Sequence, residues 1–179
     1  IYRGGKRDIY EGGHRVPFFI RWPDGIKQPG RSWHGIVGQV DLLATIADVV
    51  DAPLPSNAAE DSQSFHSVLT DANAEYRRAP LINHSSRGRF AVTAGNWKLV
   101  LPHGKSTVEL YDLAADPAEK HNVAAMHSEL VVGLQKKATN IVLNGRTTPG
   151  AVQANDTGHW SDLTWIKKAN YVTRQKKAE

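Results

Sequence analysis

The feature that most constrains this chain is a glycine-hinged turn between Gly4 and Pro17, which stands directly before a strongly apolar run. Gly12 and Gly13 carry no Cβ, so their backbone can adopt φ > 0 or lie against a group that any side chain would displace. Such a turn can hold charged side chains at fixed angles around one small volume, which is typical of the edge of an active site. It also suits a plain surface turn braced by a Glu11–Arg15 ion pair, and the residues alone favour this second interpretation.

The apolar run that follows, Phe18–Trp22, predicts a strand buried on both faces, as in the sheet of an α/β protein. The neighbouring sequence offers few strands to pair with it. We therefore expect the chain to be part of a longer protein and to expose apolar surface or an open sheet edge. Apolar residues at spacings of three and four then predict a helix from Leu42 to Val50, with Asp41 as its N-terminal cap.

The second half of the sequence predicts a small antiparallel sheet. Residues Arg89–Thr93 and Trp97–Leu101 flank Ala94-Gly95-Asn96, a connection typical of a β-hairpin. Segments on either side of this hairpin, residues 80–83 and 108–113, bring the predicted sheet to about four strands.

One long helix is predicted from Ser128 to Asn144, because its apolar residues share a face and Gly145 follows as a stop signal. It should cover one face of the sheet. From residue 150 to 179 we predict an extended basic tail. The formal net charge is +4 over 179 residues, and residues 167–179 hold five basic residues against one Glu. The rest of the chain is balanced in charge, which argues against a nucleic-acid-binding face.

Composition excludes several other classes of site. The chain has no cysteine, so it can form neither disulfides nor a thiolate metal site. Its eight histidines show no ligand spacing such as HxH or HxxxH, which disfavours zinc. No apolar run approaches the length that a membrane span requires.

Two strings resemble the sulfatase family of the alkaline phosphatase superfamily. In the first, Lys6 stands four residues before Tyr10-Glu11-Gly12-Gly13, and Arg15 and Pro17 close the turn. The second is LYDLAADPAEKHNV, residues 110–123, which we interpret as structural. The resemblance implies that Lys6 is catalytic and contacts the oxygens of a sulfate ester, and that the surrounding residues brace the loop: Tyr10, Glu11, Gly12, Gly13 and Arg15.

The resemblance also implies a fold and cofactors. Residues 1–78 would be the C-terminal end of the α/β catalytic domain (lysine turn, strand and helix), and residues 79–149 a subdomain with a four-stranded antiparallel sheet packed on a helix. The family uses formylglycine, made in a Cys/Ser-x-Pro-x-Arg motif, beside calcium. This chain lacks that motif, and in the family the second pair of metal-binding residues lies shortly before the lysine turn, so no metal site is expected in this sequence. The isolated chain is expected to be inactive without an N-terminal catalytic portion. The compartment stays open, with export or a lysosome-like location implied by the family alone.

His84 is a candidate substrate-binding residue, because it lies between a predicted strand and a glycine turn, where it could bond a sugar hydroxyl. A local hydrogen bond to backbone is the alternative role for it. Two alternatives to a sulfatase acting on aryl or carbohydrate sulfates also remain. One is a phosphonate or phosphodiester hydrolase of the same superfamily, and the other is a non-catalytic module that binds glycans or a partner chain.

Overall fold

A computed structural model describes residues 1–155 and 158–175 as five helices, four strands and two short 3-10 turns, the latter at Gln39–Asp41 and Ala124–Met126. The helices are α1 (Glu11–His14), α2 (Leu42–Val49), α3 (His66–Thr70), α4 (Ser128–Asn144) and α5 (Lys168–Gln175). The strands are β1 (Leu81–His84), β2 (Phe90–Ala94), β3 (Trp97–Val100) and β4 (Glu109–Asp112).

The four strands form one antiparallel sheet in the order β1-β2-β3-β4, so each strand pairs with the next along the chain. The β2–β3 hairpin turns through Gly95 and Asn96, and Gly95 has φ of +56°, a conformation that glycine adopts without a steric cost. The predicted hairpin and the predicted four-stranded sheet are therefore confirmed, together with the α+β class.

One face of the sheet carries the main hydrophobic core. Val92, Leu99 and Leu110 are fully buried there and pack against Leu134 and Ala138 of α4. Side chains alternate between the two faces of a strand, so these residues share one face while their sequence neighbours point the other way. Helix α4 ends at Asn144, followed by Gly145 with φ of +63°, which confirms both the predicted helix and its stop.

The opposite face of the sheet packs against the N-terminal turn. Ile9, only 3% exposed, contacts Ala91, Val100 and Tyr111, which point away from α4. The sheet is thus sandwiched between α4 and the segment that contains the glycine-hinged turn. The lysine turn therefore packs against β4, which contains the start of the second string, residues 110–123.

Asp41 does not cap α2 as predicted. Its carboxylate is fully buried, with Oδ2 2.7 Å from Nε of Arg78 and Oδ1 2.8 Å from Nη2 of the same guanidinium. The same oxygens accept the backbone N–H groups of Gly38 and Gln63. A buried charge needs a partner more than a helix end needs a cap, so the carboxylate pairs with a distant arginine and not with the N–H groups of α2.

The strand predicted for Phe18–Trp22 does not form, and this prediction is wrong. In the part of the chain that the structure describes, these residues pair with no other strand. Phe19 is 91% exposed. A strand needs a neighbour for its backbone donors and acceptors, and local sequence cannot supply one. The outer side of α2 is also exposed, at Leu43, Ile46 and Val50.

The tail differs from the extended segment that we predicted. Leu163, Ile166 and Tyr171 are buried in the main core, and α5 begins at Lys168. Three apolar anchors in nine residues give this segment enough buried area to fold back onto the sheet. Residues 156–157 and 176–179 of the predicted basic tail lie outside the described residues. No described helix has the length and apolarity to cross a membrane.

Candidate functional site

Lys6 lies at the tip of a tight turn and is exposed to solvent. Asp8 closes the turn, because its backbone N–H donates to Gly5 O at 2.9 Å and its Oδ2 accepts the Gly5 N–H at 3.0 Å. Arg7 has φ of +82°, which is uncommon for a residue other than glycine. Its carbonyl accepts hydrogen bonds from the backbone N–H and the hydroxyl of Ser86, at 3.1 and 3.4 Å. The turn is therefore fixed at its base while the Lys6 ammonium has no hydrogen-bond or ion-pair partner among the described residues.

The glycines of the turn are required by a close approach of the chain to itself. A Cβ on Gly13 would lie 2.1 Å from the carbonyl oxygen of Asp8, and one on Gly12 would lie 2.4 Å from that of Gly4. Both glycines are in α1 with negative φ. The sequence allowed two reasons for these glycines, a positive φ or a close approach to another group. The close approach applies here, and the group approached is the chain's own backbone.

A buried ion cluster joins α1 to the sheet. Lys98 of β3 has a fully buried side chain, and its Nζ lies 3.0 Å from Oε1 of Glu11 and 2.9 Å from Oε1 of Glu119. The other carboxylate oxygen of Glu119 accepts the backbone N–H of Glu11 at 2.6 Å. Nε2 of His14 lies 3.2 Å from Glu11 Oε1 and 3.4 Å from Lys98 Nζ. Two carboxylates thus share one ammonium, with an imidazole beside them.

The electrostatics of Glu11 follow from this arrangement. Burial on its own raises the pKa of the Glu11 carboxyl, but the hydrogen bond with His14 and the charge and hydrogen bond of Lys98 outweigh it and lower the pKa to about 2. Glu11 is therefore ionised throughout the physiological range. Its exposed neighbour Arg15 is 3.5 Å away and adds a weak, solvent-screened pair.

A second polar layer surrounds Tyr10. Its hydroxyl donates to Glu109 of β4 at 3.0 Å, and the Tyr111 hydroxyl donates to the same carboxylate at 2.6 Å. Arg89, which directly precedes β2, completes the group, with Nη2 2.9 Å from Oε1 of Glu109. Burial on its own raises the pKa of Glu109, but the hydrogen bonds from Tyr111 and Arg89 outweigh this effect and lower the pKa. The guanidinium of Arg3 lies 3.6 Å from the centre of the Tyr10 ring.

These contacts define what each loop residue does. Tyr10 and Glu11 attach the turn to the sheet, Gly12 and Gly13 allow the chain to pack against itself, and Arg15 lies at the rim. Sequence reasoning missed Lys98, although a lysine between Trp97 and Leu99 in an apolar strand was a usable signal. Glu119 lies in residues 110–123, the string that the sequence marked as structural. The donor that its carboxylate satisfies, the backbone N–H of Glu11, lies in the lysine turn.

Among the described residues, the imidazole of His84 makes no hydrogen bond to nearby backbone. Its ring stacks on Phe90 at 4.2 Å between centres, and Trp160 contacts it edge-on at 4.7 Å. Nε2 of His84 lies 3.8 Å from Oδ2 of Asp162, whose other oxygen lies 3.2 Å from Nε2 of His103. His84 is joined to the lysine turn only indirectly, since Ser86 two residues later bonds to Arg7.

The residues of this chain do not fit the cofactors that a sulfatase requires. The sequence has no cysteine and no Ser-x-Pro-x-Arg motif to supply formylglycine. Among residues 1–155 and 158–175, no three His, Asp or Glu side chains are placed to hold a metal ion. Calcium takes six to eight oxygen ligands, several of them carboxylate oxygens. No step involving either group is therefore assigned to this chain.

The framework of the site is an antiparallel sheet packed between one long helix and a glycine turn. Residues 4–144 match the family model described as N-sulphoglucosamine sulphohydrolase, C-terminal. The chain belongs to this sulfatase family.

Individual relatives agree with the family assignment. The chain is 36% identical over 145 residues to an N-acetylgalactosamine-6-O-sulfatase of Bacteroides thetaiotaomicron, a match that covers 73% of this chain and 28% of that protein. It is 31% identical to human arylsulfatase A over 148 residues, which covers 69% of this chain and 29% of the relative. The chain therefore spans less than a third of each of these two curated relatives.

Solved structures show the same fold. A sulfatase structure from work on glycosaminoglycan metabolism by Bacteroides thetaiotaomicron superimposes with a TM-score of 0.71 and 32% identity, and covers 78% of this chain and 32% of that one. The structure of Ps i-CgsB in complex with neocarrahexaose superimposes with a TM-score of 0.69 over 84% of this chain and 34% of that one. At 21% identity, the second match concerns the fold alone.

Proposed function

We propose that this chain is the C-terminal part of an enzyme that hydrolyses sulfate esters, and that Lys6 is one of its catalytic residues. The observation that carries the proposal is the contrast within one turn. Glu11 is fixed by buried ion pairs to Lys98, five residues from a lysine that is exposed and without a described partner. The turn that carries Lys6 is held on the sheet through Glu11, while the Lys6 ammonium stays accessible to a ligand.

The chemistry of sulfate-ester cleavage gives such an ammonium a role. Negative charge builds on the bridging and non-bridging oxygens as the ester bond breaks, and a fixed cation lowers the energy of that state. Lysine suits this task because it is a compact charge with three donors. The nucleophile and the metal belong, on this proposal, to a part of the enzyme outside this sequence, so the isolated chain is inactive.

The substrate class that we propose is a sulfated carbohydrate. The support is the 36% identity to a relative named for N-acetylgalactosamine 6-sulfate. His84 and Trp160 are both exposed, and an imidazole and an indole can contact the hydroxyl groups and ring face of a sugar.

The test compares two esters of one alcohol on the enzyme that contains this chain. We expect 4-nitrophenyl sulfate to be cleaved with a higher kcat/KM than 4-nitrophenyl phosphate. The isolated 179-residue chain serves as the matched control and should cleave neither. A higher kcat/KM for the phosphate ester would contradict the proposal and favour a phosphodiester or phosphonate hydrolase of the same superfamily.

A further inference from the structure

The lysine turn contains a closed loop whose two ends lie side by side. The backbone N–H of Gly12 donates to the carbonyl of Arg3 at 2.8 Å, so residues 4–11 form the loop and Lys6 lies within it. The Lys6 side chain makes no contact that would hold it, so the position of its ammonium depends on how the ends of the loop are fixed.

Both ends of this loop are bound by one residue, Glu119. The guanidinium of Arg3 donates to the carbonyl oxygen of Glu119 at 3.0 Å. The backbone N–H of Glu11 donates to Oε2 of the same residue at 2.6 Å. The backbone carbonyl and the side chain of Glu119 therefore close the loop at its base, although more than 100 residues separate Glu119 from either end.

The backbone of Glu119 is held in an unusual conformation to make these two contacts. Its φ is +51°, in the left-handed region that residues other than glycine rarely adopt. The turn before it is fixed by Asp116, whose carbonyl accepts the Glu119 N–H at 3.0 Å and whose Oδ2 accepts the His121 N–H at 2.8 Å. Glycine would adopt this conformation more easily, but it has no carboxylate to accept the Glu11 N–H. The contact with the loop therefore accounts for a glutamate at this position.

The orientation of the Glu119 carboxylate is set by Lys98. Oε1 of Glu119 lies 2.9 Å from the Lys98 ammonium, which leaves Oε2 to accept from Glu11. The side chains of Glu119 and Lys98 have no solvent exposure, so water cannot take the place of either one. Each oxygen of the carboxylate thus has its own partner, and a change to one oxygen disturbs the attachment of the loop.

We infer that Glu119 is a positioning residue for the proposed reaction, because it holds both ends of the loop that presents the Lys6 ammonium to the sulfate ester. This inference rests on the proposed function. It gives the string of residues 110–123, which the sequence marked as structural, a role in turnover. A group that stabilises charge in a transition state must be held closely in place, and a displacement of about 1 Å can lower the rate by about 10²-fold.

The test is a double-mutant cycle on kcat in the enzyme that contains this chain, with 4-nitrophenyl sulfate as the substrate. Glu119→Gln keeps the size of the side chain but replaces one oxygen by an amide group that donates, so either Lys98 or the Glu11 N–H loses its acceptor. We expect kcat to fall by about 10- to 100-fold while KM changes by less than about threefold, because Lys6 acts on charge that develops in the transition state. In a Lys6→Ala background, Glu119→Gln should lower kcat by less than about twofold, because the group that it positions is already absent.

Arg3→Met is a second variant, which releases the other end of the loop. The Arg3 side chain is 43% exposed, so this change removes no fully buried charge. It should show the same pattern with a smaller loss of kcat, about threefold to tenfold. Glu129→Gln makes the same chemical change as Glu119→Gln at an exposed position of α4 and is the matched control. Leu134→Ala disturbs the core on the opposite face of the sheet, and both control variants should keep the kcat of the unmodified enzyme.

The outcomes separate the inference from the proposal on which it rests. Equal kcat for the Glu119 and Glu129 variants would overturn the inference. So would a loss of kcat in Glu119→Gln that stays the same size in the Lys6→Ala background, since a purely structural role acts independently of Lys6. If Glu119→Gln does not fold, the cycle of Arg3→Met with Lys6→Ala is judged by the same two criteria. If Lys6→Ala itself keeps the turnover of the unmodified enzyme, the catalytic role proposed for Lys6 fails, and the positioning role of Glu119 fails with it.

Discussion

Replacement of Lys98 by Met tests whether the buried ion cluster holds the lysine turn on the sheet. Methionine keeps most of the apolar stem but removes the ammonium that the carboxylates of Glu11 and Glu119 share. Breaking a buried pair by removal of one partner costs about 3–5 kcal/mol. The side chains are at most 10% exposed, so solvent screening reduces this cost little.

The assay is urea denaturation of the 179-residue chain, with the midpoint and the slope determined for each variant. We expect Lys98→Met to lose about 3–5 kcal/mol, a large part of the 5–15 kcal/mol that is typical of a domain. The exposed Lys136→Met on α4 is the matched control and should change stability by less than about 0.5 kcal/mol. Adding Glu119→Gln to Lys98→Met removes one uncompensated charge, so the double variant should be less unstable than the sum of the single ones. If Lys98→Met loses no more than Lys136→Met, the buried cluster does not stabilise the fold.

Three further predictions concern the turn and the exposed helix. The pKa of Glu11 is about 2 in the folded chain against 4.5 ordinarily, so its contribution is present above pH 4.5 and is lost as the pH falls towards 2. About 3 kcal/mol of the free energy of unfolding should be lost over this pH range. In denaturation measured from pH 7 to 2, Glu11→Gln should remove that part of the pH dependence. If Glu11→Gln and the unmodified chain show the same pH dependence, the low pKa assigned to Glu11 is contradicted. Gly13→Ala should destabilise by about 1–3 kcal/mol, because its Cβ meets the Asp8 carbonyl at 2.1 Å. Gly133→Ala in α4 meets nothing and should stabilise by up to about 1 kcal/mol, so equal effects of the two changes in thermal melts would refute the packing argument. Ile46 of α2 is 56% exposed, so Ile46→Lys should change the free energy of unfolding by less than about 0.5 kcal/mol and should reduce self-association in sedimentation. A destabilisation above about 2 kcal/mol would show that this face of α2 is covered.

The sequence predicted best those elements whose determinants are local. The β2–β3 hairpin is specified by Gly95 and the alternating residues that flank it, and α4 by its apolar face and Gly145. In both cases the residues that set the structure lie within one segment. Elements that depend on distant partners were predicted poorly. Phe18–Trp22 has the composition of a strand, yet a strand exists only where another one pairs with it.

The site was predictable in part for the same reason. The turn from Gly4 to Pro17 could be recognised from its own residues, and Glu119 lies in the string of residues 110–123 that the sequence marked as structural. Their contact through Lys98 could not, because 87 residues separate Glu11 from Lys98. The contacts of Asp162 had no local signal either, since His84 and His103 lie in other segments.

The measurement that tests the central claim most directly is the turnover of Lys6→Ala in the enzyme that contains this chain. Removal of one electrostatic group from the transition state typically costs about 10²–10³ in kcat. We predict a loss of that size with 4-nitrophenyl sulfate, while the exposed Lys136→Ala variant keeps the turnover of the unmodified enzyme. Equal turnover of the Lys6 and Lys136 variants would contradict the claim that the ammonium at the tip of this turn acts on the sulfate ester.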